Sequence, residues 1–318
     1  MPPMAKRLQT IEKARRLPAR WLDALAVRLV RHSPLLGRVR LFLMEAREEL
    51  LARGRIDAHR RIACPGGAVL DAWVLRGRRG RSRRGAVLFI HGLWDSKAYM
   101  FGCAQRAAAR GFDAVLVDLR GHGLSTGRYV TYGARETPDL LRVMSCLQRE
   151  GLIAGPRFVV GFSMGGGIAV QYAAADPACR GLIALAPVAA ADLIMRRMVR
   201  IMCPLLGESA LRAAVARAGE MAGFEPAAIS AIRSAEGIRC PAVVIHGRLD
   251  LTVPPSHGQA VFDALAGPKE LIRPWTLHSS VILGREDWIA RKLVEMARHE
   301  ASSDKLEDPG LPTEHDQS

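Results

Sequence analysis

At 318 residues and 49% hydrophobic content, the chain has ample material for one large core, which excludes disorder over most of its length. Its formal net charge is +15 with a sequence pI of about 10.4, but all except six of the 46 basic residues are arginines, spread along the whole chain. That spread reads as compositional bias, not as the clustered footprint of a specific nucleic-acid binder.

The six cysteines, Cys64, Cys103, Cys146, Cys179, Cys203 and Cys240, lie far apart with no C-x-x-C pair. Several sit in apolar runs, so they read as reduced core thiols of a cytosolic protein. No run reaches the roughly 18 apolar residues of a membrane span. The N-terminus has no apolar h-region or small-residue cleavage site, so no signal peptide is expected.

Residues 1–60 read as a basic, helical extension. Apolar residues from Arg20 to Val30 fall at helical spacing, and a second helix is expected from about Leu35 through Leu51. Two readings stand for this extension: a helix pair packed on the main domain, or an amphipathic stretch peripheral to an anionic membrane. From Arg55 the pattern changes to strands, the first clear one being Ala68–Leu75. Residues 76–85 then carry six arginines in ten positions, as in a solvated hairpin loop or an anion-holding one.

Apolar runs then alternate with helices, the signature of an α/β protein with a mostly parallel sheet. The strands are expected at 86–90, 113–118, 157–160, 181–186, 241–246 and 270–273. Helices are expected at about 97–110, from Thr137 as N-cap with Pro138 at the first helical position, at 256–265, and from Arg285 to Arg298. Helical, Met- and Arg-rich sequence at about 190–238 interrupts the rhythm. Residues 301–318, polar and acidic, read as a disordered tail.

The chemistry centres on Gly161-Phe162-Ser163-Met164-Gly165, between a strand and a helix. Serine in such a turn is forced into an unfavourable backbone conformation that exposes its hydroxyl above the sheet. Glycines two before and two after leave the turn room to close. The helix N-terminus behind it offers free N–H groups to a developing oxyanion.

Taken with His91-Gly92, the run Asp118-Leu119-Arg120-Gly121-His122-Gly123-Leu124-Ser125, His246-Gly247-Arg248-Leu249-Asp250 and His278, this turn makes residues 61–300 resemble an α/β hydrolase, in the esterase, lysophospholipase and serine aminopeptidase-like branch. The resemblance implies Ser163 as nucleophile, His278 as base and Asp250 as the acid that orients it. Leu277 stands where the family often has glycine. His91, His122, His246 and His257 are expected to be structural, and Asp118 to cap its own loop. The family also implies backbone N–H donors at Leu93 and Met164, Trp94 in the pocket, and a cap at 190–238 that brings Met202 and Leu205 to the substrate.

The resemblance implies no cofactor and no metal. The expected partner is a small-molecule ester, with an apolar acyl group suggested by the cap. A peptidase or thioesterase would use the same residues. A catalytically silent binder would be expected to lack one of the three, and no nucleic-acid motif accompanies the charge. The sequence carries no signal for oligomeric state.

Overall fold

Strands buried on both faces need apolar side chains at every position, and the runs named above supply them. In the computed structural model, which describes residues 18–31, 55–77 and 83–307, eight strands form one sheet. They are β1 (Ala58–Ala63), β2 (Val69–Leu75), β3 (Ala86–Ile90), β4 (Asp113–Val117), β5 (Arg157–Phe162), β6 (Cys179–Leu185), β7 (Ala242–Ile245) and β8 (Lys269–Ile272). Their order is β1-β2-β4-β3-β5-β6-β7-β8. Only β2 runs antiparallel to its neighbours β1 and β4, so the expected mostly parallel sheet is present.

Helices cover both faces. On one side α2 (Phe101–Ala108) and α9 (Glu286–Glu307) close a core around Phe89, Phe158 and Ile183. On the other side lie α3 (Glu136–Arg149), α4 (Met164–Ala175) and α8 (Pro255–Ala264). Between β6 and β7 the chain adds α5 (Ala191–Met202), α6 (Glu208–Ala222) and the short α7 (Ala231–Ala235).

Helix α1 (Ala19–Val30) packs on α6 and buries Leu25, Ala26, Leu29 and Val30. Its Asp23 meets Arg217 at 2.7 Å. Its opposite face keeps Arg20 and Trp21 exposed.

Three expected boundaries shift. A 3₁₀ turn at Lys97–Met100 precedes α2, which ends at Ala108. Helix α3 begins at Glu136, because the buried Glu136 carboxylate accepts from the N–H of Thr131 and of Gly133 and fixes the entering turn; Thr137 and Pro138 fall inside the first turn. Helix α9 runs nine residues past Arg298, through part of the expected tail, where alanine, lysine, leucine and glutamate favour helix over coil. The expected helix at 35–51, the arginines at 78, 79 and 81, and residues 308–318 lie outside the described residues.

Because β3 to β8 run parallel, the loops leaving their C-terminal ends gather along one edge. That edge is where open α/β sheets place ligands.

Candidate active site

Strand β5 ends in a turn so tight that Ser163 takes φ 57° and ψ −118°. A non-glycine residue there carries strain of about 1–3 kcal/mol. Hydrogen bonds hold it in place: the Ser163 N–H donates to Leu185 O at 2.8 Å, and the Val188 N–H donates to Ser163 O at 3.1 Å. A Cβ on Gly161 would lie 2.1 Å from Gly165 O, and one on Gly165 would lie 2.3 Å from His91 O. Both positions therefore require glycine, and the second brings the loop after β3 directly against the turn.

The loops after β7 and β8 bring Asp250 and His278 to the serine. His278 Nε2 stands 2.9 Å from Ser163 Oγ, and its Nδ1 stands 2.6 Å from Asp250 Oδ2. A carboxylate accepts, so Nδ1 carries the proton and Nε2 is left to take the serine hydroxyl proton. The N–H groups of Thr252 and Val253 both donate to Asp250 Oδ1 at 2.9 Å. His246 Nε2, which donates to Val253 O at 2.9 Å, lies 3.3 Å from Oδ2. Burial alone would raise the Asp250 pKa, but the bonds from His246, His278 and Val253 outweigh it and hold the carboxyl well below the usual range. The His278 ring rests on Phe162, with centroids 4.9 Å apart.

The loop after β3 is fixed from below. His91 Nε2 accepts the Leu119 N–H at 3.0 Å while Nδ1 donates to Gly92 O at 2.7 Å. His122 Nε2 accepts the Trp94 N–H at 3.3 Å, and its Nδ1 donates to Arg120 O. This holds Trp94 at φ 64°. Both histidines are thus structural, as expected, and burial pushes the His91 pKa down. Asp118 caps its own loop through the N–H of Leu124, and also takes the Lys97 N–H at 2.7 Å.

Sequence reasoning missed Lys97. Its ammonium is fully buried, 2.6 Å from Asp118 Oδ2 and 2.9 Å from Asp71 Oδ1, over the Trp73 ring. The available signal was Asp71, a charge inside an otherwise apolar strand that had to find a buried cation.

Among the described residues no acceptor takes the N–H of Leu93 or of Met164. Gly92 packs against Ser163, where an added Cβ would lie 3.3 Å from Ser163 Cβ, so the chain entering Leu93 runs beside the serine. Above it opens a cavity of about 520 Å³. Its walls include Leu93, Trp94, Tyr132 and Val188, and α5 contributes Ile194, Met198, Ile201 and Met202. Leu205 does not line it. Helix α5 ends at Met202, so Leu205 leaves the helical stripe and stands fully exposed. Tyr132 and Leu251 line the cavity without having been expected there. Among the described residues no cluster of three or more His, Cys, Asp or Glu side chains is placed to hold a metal ion.

This topology is similar to that of the Pyrococcus furiosus esterase PF2001, with a TM-score of 0.62 at 21% identity over 79% of this chain and 93% of the esterase. The chain has the α/β-hydrolase fold. Residues 81–225 match the family model described as serine aminopeptidase, S33. A monoacylglycerol lipase from Mycolicibacterium smegmatis is 33% identical over 110 residues, 34% of this chain and 38% of the lipase. The uncharacterized protein YqkD of Bacillus subtilis is 28% identical over 163 residues, 51% of this chain and 53% of its own. The chain thus spans about half or less of the curated relatives it matches. No helix among its described residues is long and apolar enough to cross a membrane.

Proposed function

We propose that the protein is a serine hydrolase that cleaves carboxylic esters with an apolar acyl group. The observation that carries this reading is the hydrogen-bonded row from Asp250 through His278 to Ser163 at the floor of a largely apolar cavity. Ser163 Oγ attacks the ester carbonyl carbon as its proton passes to His278 Nε2. The carbonyl electron pair moves onto oxygen, which the N–H groups of Leu93 and Met164 receive. Collapse expels the alcohol, which takes the proton from Nε2, and an acyl-Ser163 ester remains. Water then gives a proton to Nε2 as it attacks the acyl carbon, and collapse breaks the bond to Ser163 Oγ, which takes that proton back as the acid leaves. Asp250 keeps the imidazole in the productive tautomer and stabilises the imidazolium.

The match to the serine aminopeptidase model raises peptides as a second substrate class. A free α-amine calls for a carboxylate in the pocket. Asp95 is the one acidic residue among those lining the cavity, and its Oδ1 already accepts the Ser96 N–H at 2.9 Å. The apolar walls favour an acyl chain instead.

The test pairs a fluorophosphonate probe with p-nitrophenyl esters of increasing chain length. The expected result is labelling and turnover by the wild type, and loss of both in a folded Ser163→Ala variant. Undiminished labelling of that variant would remove Ser163 from the mechanism. Cleavage of amino-acid anilides with no ester turnover would transfer the reading to a peptidase.

A further inference from the structure

Single exposed leucines are ordinary on a protein surface; their clustering is informative. Ten large apolar side chains stand exposed among the described residues, and all except Trp21 lie on four segments, each of which also contributes residues to the cavity wall. Trp94 belongs to the loop after β3, Ile201 and Leu205 to α5 and its exit, Leu251 to the Asp250 loop, and Trp275 and Leu283 to the chain around His278. Trp94, Ile201 and Leu251 also line the cavity, so the exposed rim is continuous with its interior.

The segments are tied to one another. The Arg197 guanidinium donates to the carbonyls of Leu251 and Thr252, which joins α5 to the Asp250 loop. The Leu249 N–H donates to Thr276 O at 3.2 Å, and Arg248 stacks 5.0 Å from the Trp275 ring centroid, which joins that loop to the His278 segment. Within residues 93–96, 191–206, 247–253 and 273–285 there are six arginines and three aspartates, and Asp250 is one of the three, buried in the hydrogen-bonded row.

We propose that this mouth docks on an anionic lipid surface. Apolar side chains held among arginines suit the boundary between acyl chains and phosphate headgroups, and net positive charge favours anionic over neutral lipid. Docking places the cavity opening against the lipid, so an amphiphilic ester enters without exposing its acyl chain to water. This role for the mouth rests on the proposed hydrolase reading, whereas the docking itself does not. Binding is therefore measured on the full chain carrying Ser163→Ala.

The experiment is co-sedimentation with phosphatidylcholine vesicles, with and without phosphatidylglycerol, at low and high salt. The expected result is binding to the anionic vesicles that weakens with salt, as screening shortens from about 10 Å at 0.1 M to about 3 Å at 1 M. Trp275→Ser combined with Leu283→Ser should lower the partition coefficient by about tenfold or more. Trp21→Ser, on helix α1 and outside the four segments, should leave it unchanged. With Ser163 restored, the double variant should hydrolyse a water-soluble acetate ester at the wild-type rate, which shows that it is folded. Three results would overturn the proposal: no binding to anionic vesicles at low salt, binding unaffected by the double variant, or a concentration-dependent dimer that the double variant abolishes while vesicle binding is absent. Vesicle binding by a protein that fails to turn over any ester would uphold the docking and remove the hydrolase reading.

Discussion

The Asp250 carboxylate is held on both oxygens: two backbone N–H groups donate to one and His278 Nδ1 to the other, with His246 Nε2 3.3 Å away. Asparagine cannot reproduce this, because its amide nitrogen must face either the backbone donors or the protonated Nδ1 of His278. On the proposed mechanism, Asp250→Asn should lose about 10⁴-fold in kcat with the fold retained. His278→Ala should fall nearly as far as Ser163→Ala, since nucleophile and base act as a unit. Steady-state kinetics on one short ester check both, and an Asp250→Asn enzyme at full rate would require another acid. Lys97 is a different case, because it touches no substrate. Its removal in Lys97→Met leaves two buried carboxylates facing each other and should cost about 3–5 kcal/mol in denaturant unfolding. The loop that carries Leu93 would then be tied to Asp118 by the backbone N–H of residue 97 alone, so kcat should drop more than KM rises.

At the scale of elements, the strands and the order of the site residues could be read from the chain, because fully buried parallel strands and a glycine-flanked turn leave strong local patterns. Strand β1 left none: in Ala-His-Arg-Arg-Ile-Ala only Ile62 is buried, since an edge strand needs hydrogen-bond partners more than apolar side chains. The start of α3 was hidden because its anchor is a buried glutamate bonded backwards, a tertiary arrangement with no periodic signature. Leu205 was assigned to the substrate by treating the insertion as one continuous stripe, whereas α5 stops three residues earlier. The two positions therefore separate in a prediction. Each acyl CH₂ buried in the cavity should add up to about 0.8 kcal/mol, so esters should improve with length until the space is filled. Met202→Gln should penalise octanoate several-fold more than acetate, while Leu205→Gln should leave the ratio unchanged. Equal ratios in the two variants, measured as kcat/KM, would remove α5 from the acyl-binding wall.

For the molecule as a whole, acid is the condition against which the fold is least protected. His257, at the start of α8, is pushed down to about 4 by burial first, then by the nearby His246 and Arg197. Its Nδ1 accepts the Ala189 N–H at 3.1 Å, which ties α8 to the chain leaving β6. An unfolded histidine titrates near 6.5, so between about pH 6.5 and pH 4 the unfolded chain binds a proton that the folded one does not. Stability therefore rises with pH through that window and is lost as pH falls through it. Two and a half pKa units correspond to about 3 kcal/mol at most, less for the part of the ring that water still screens. Burial of His91 acts in the same direction. Asp250 acts lower: its depressed pKa stabilises the fold above the unfolded carboxylate value near 4 and is lost only below it. Repulsion within a chain of formal charge +15 grows as other carboxylates protonate. The melting temperature should accordingly fall between pH 7 and pH 4.5. His257→Asn keeps a side-chain oxygen to accept the Ala189 N–H but cannot titrate, so its melting temperature should fall less steeply over the same interval. Parallel profiles for the two proteins would rule out His257 as a source of the acid sensitivity and leave it to His91 and the net charge.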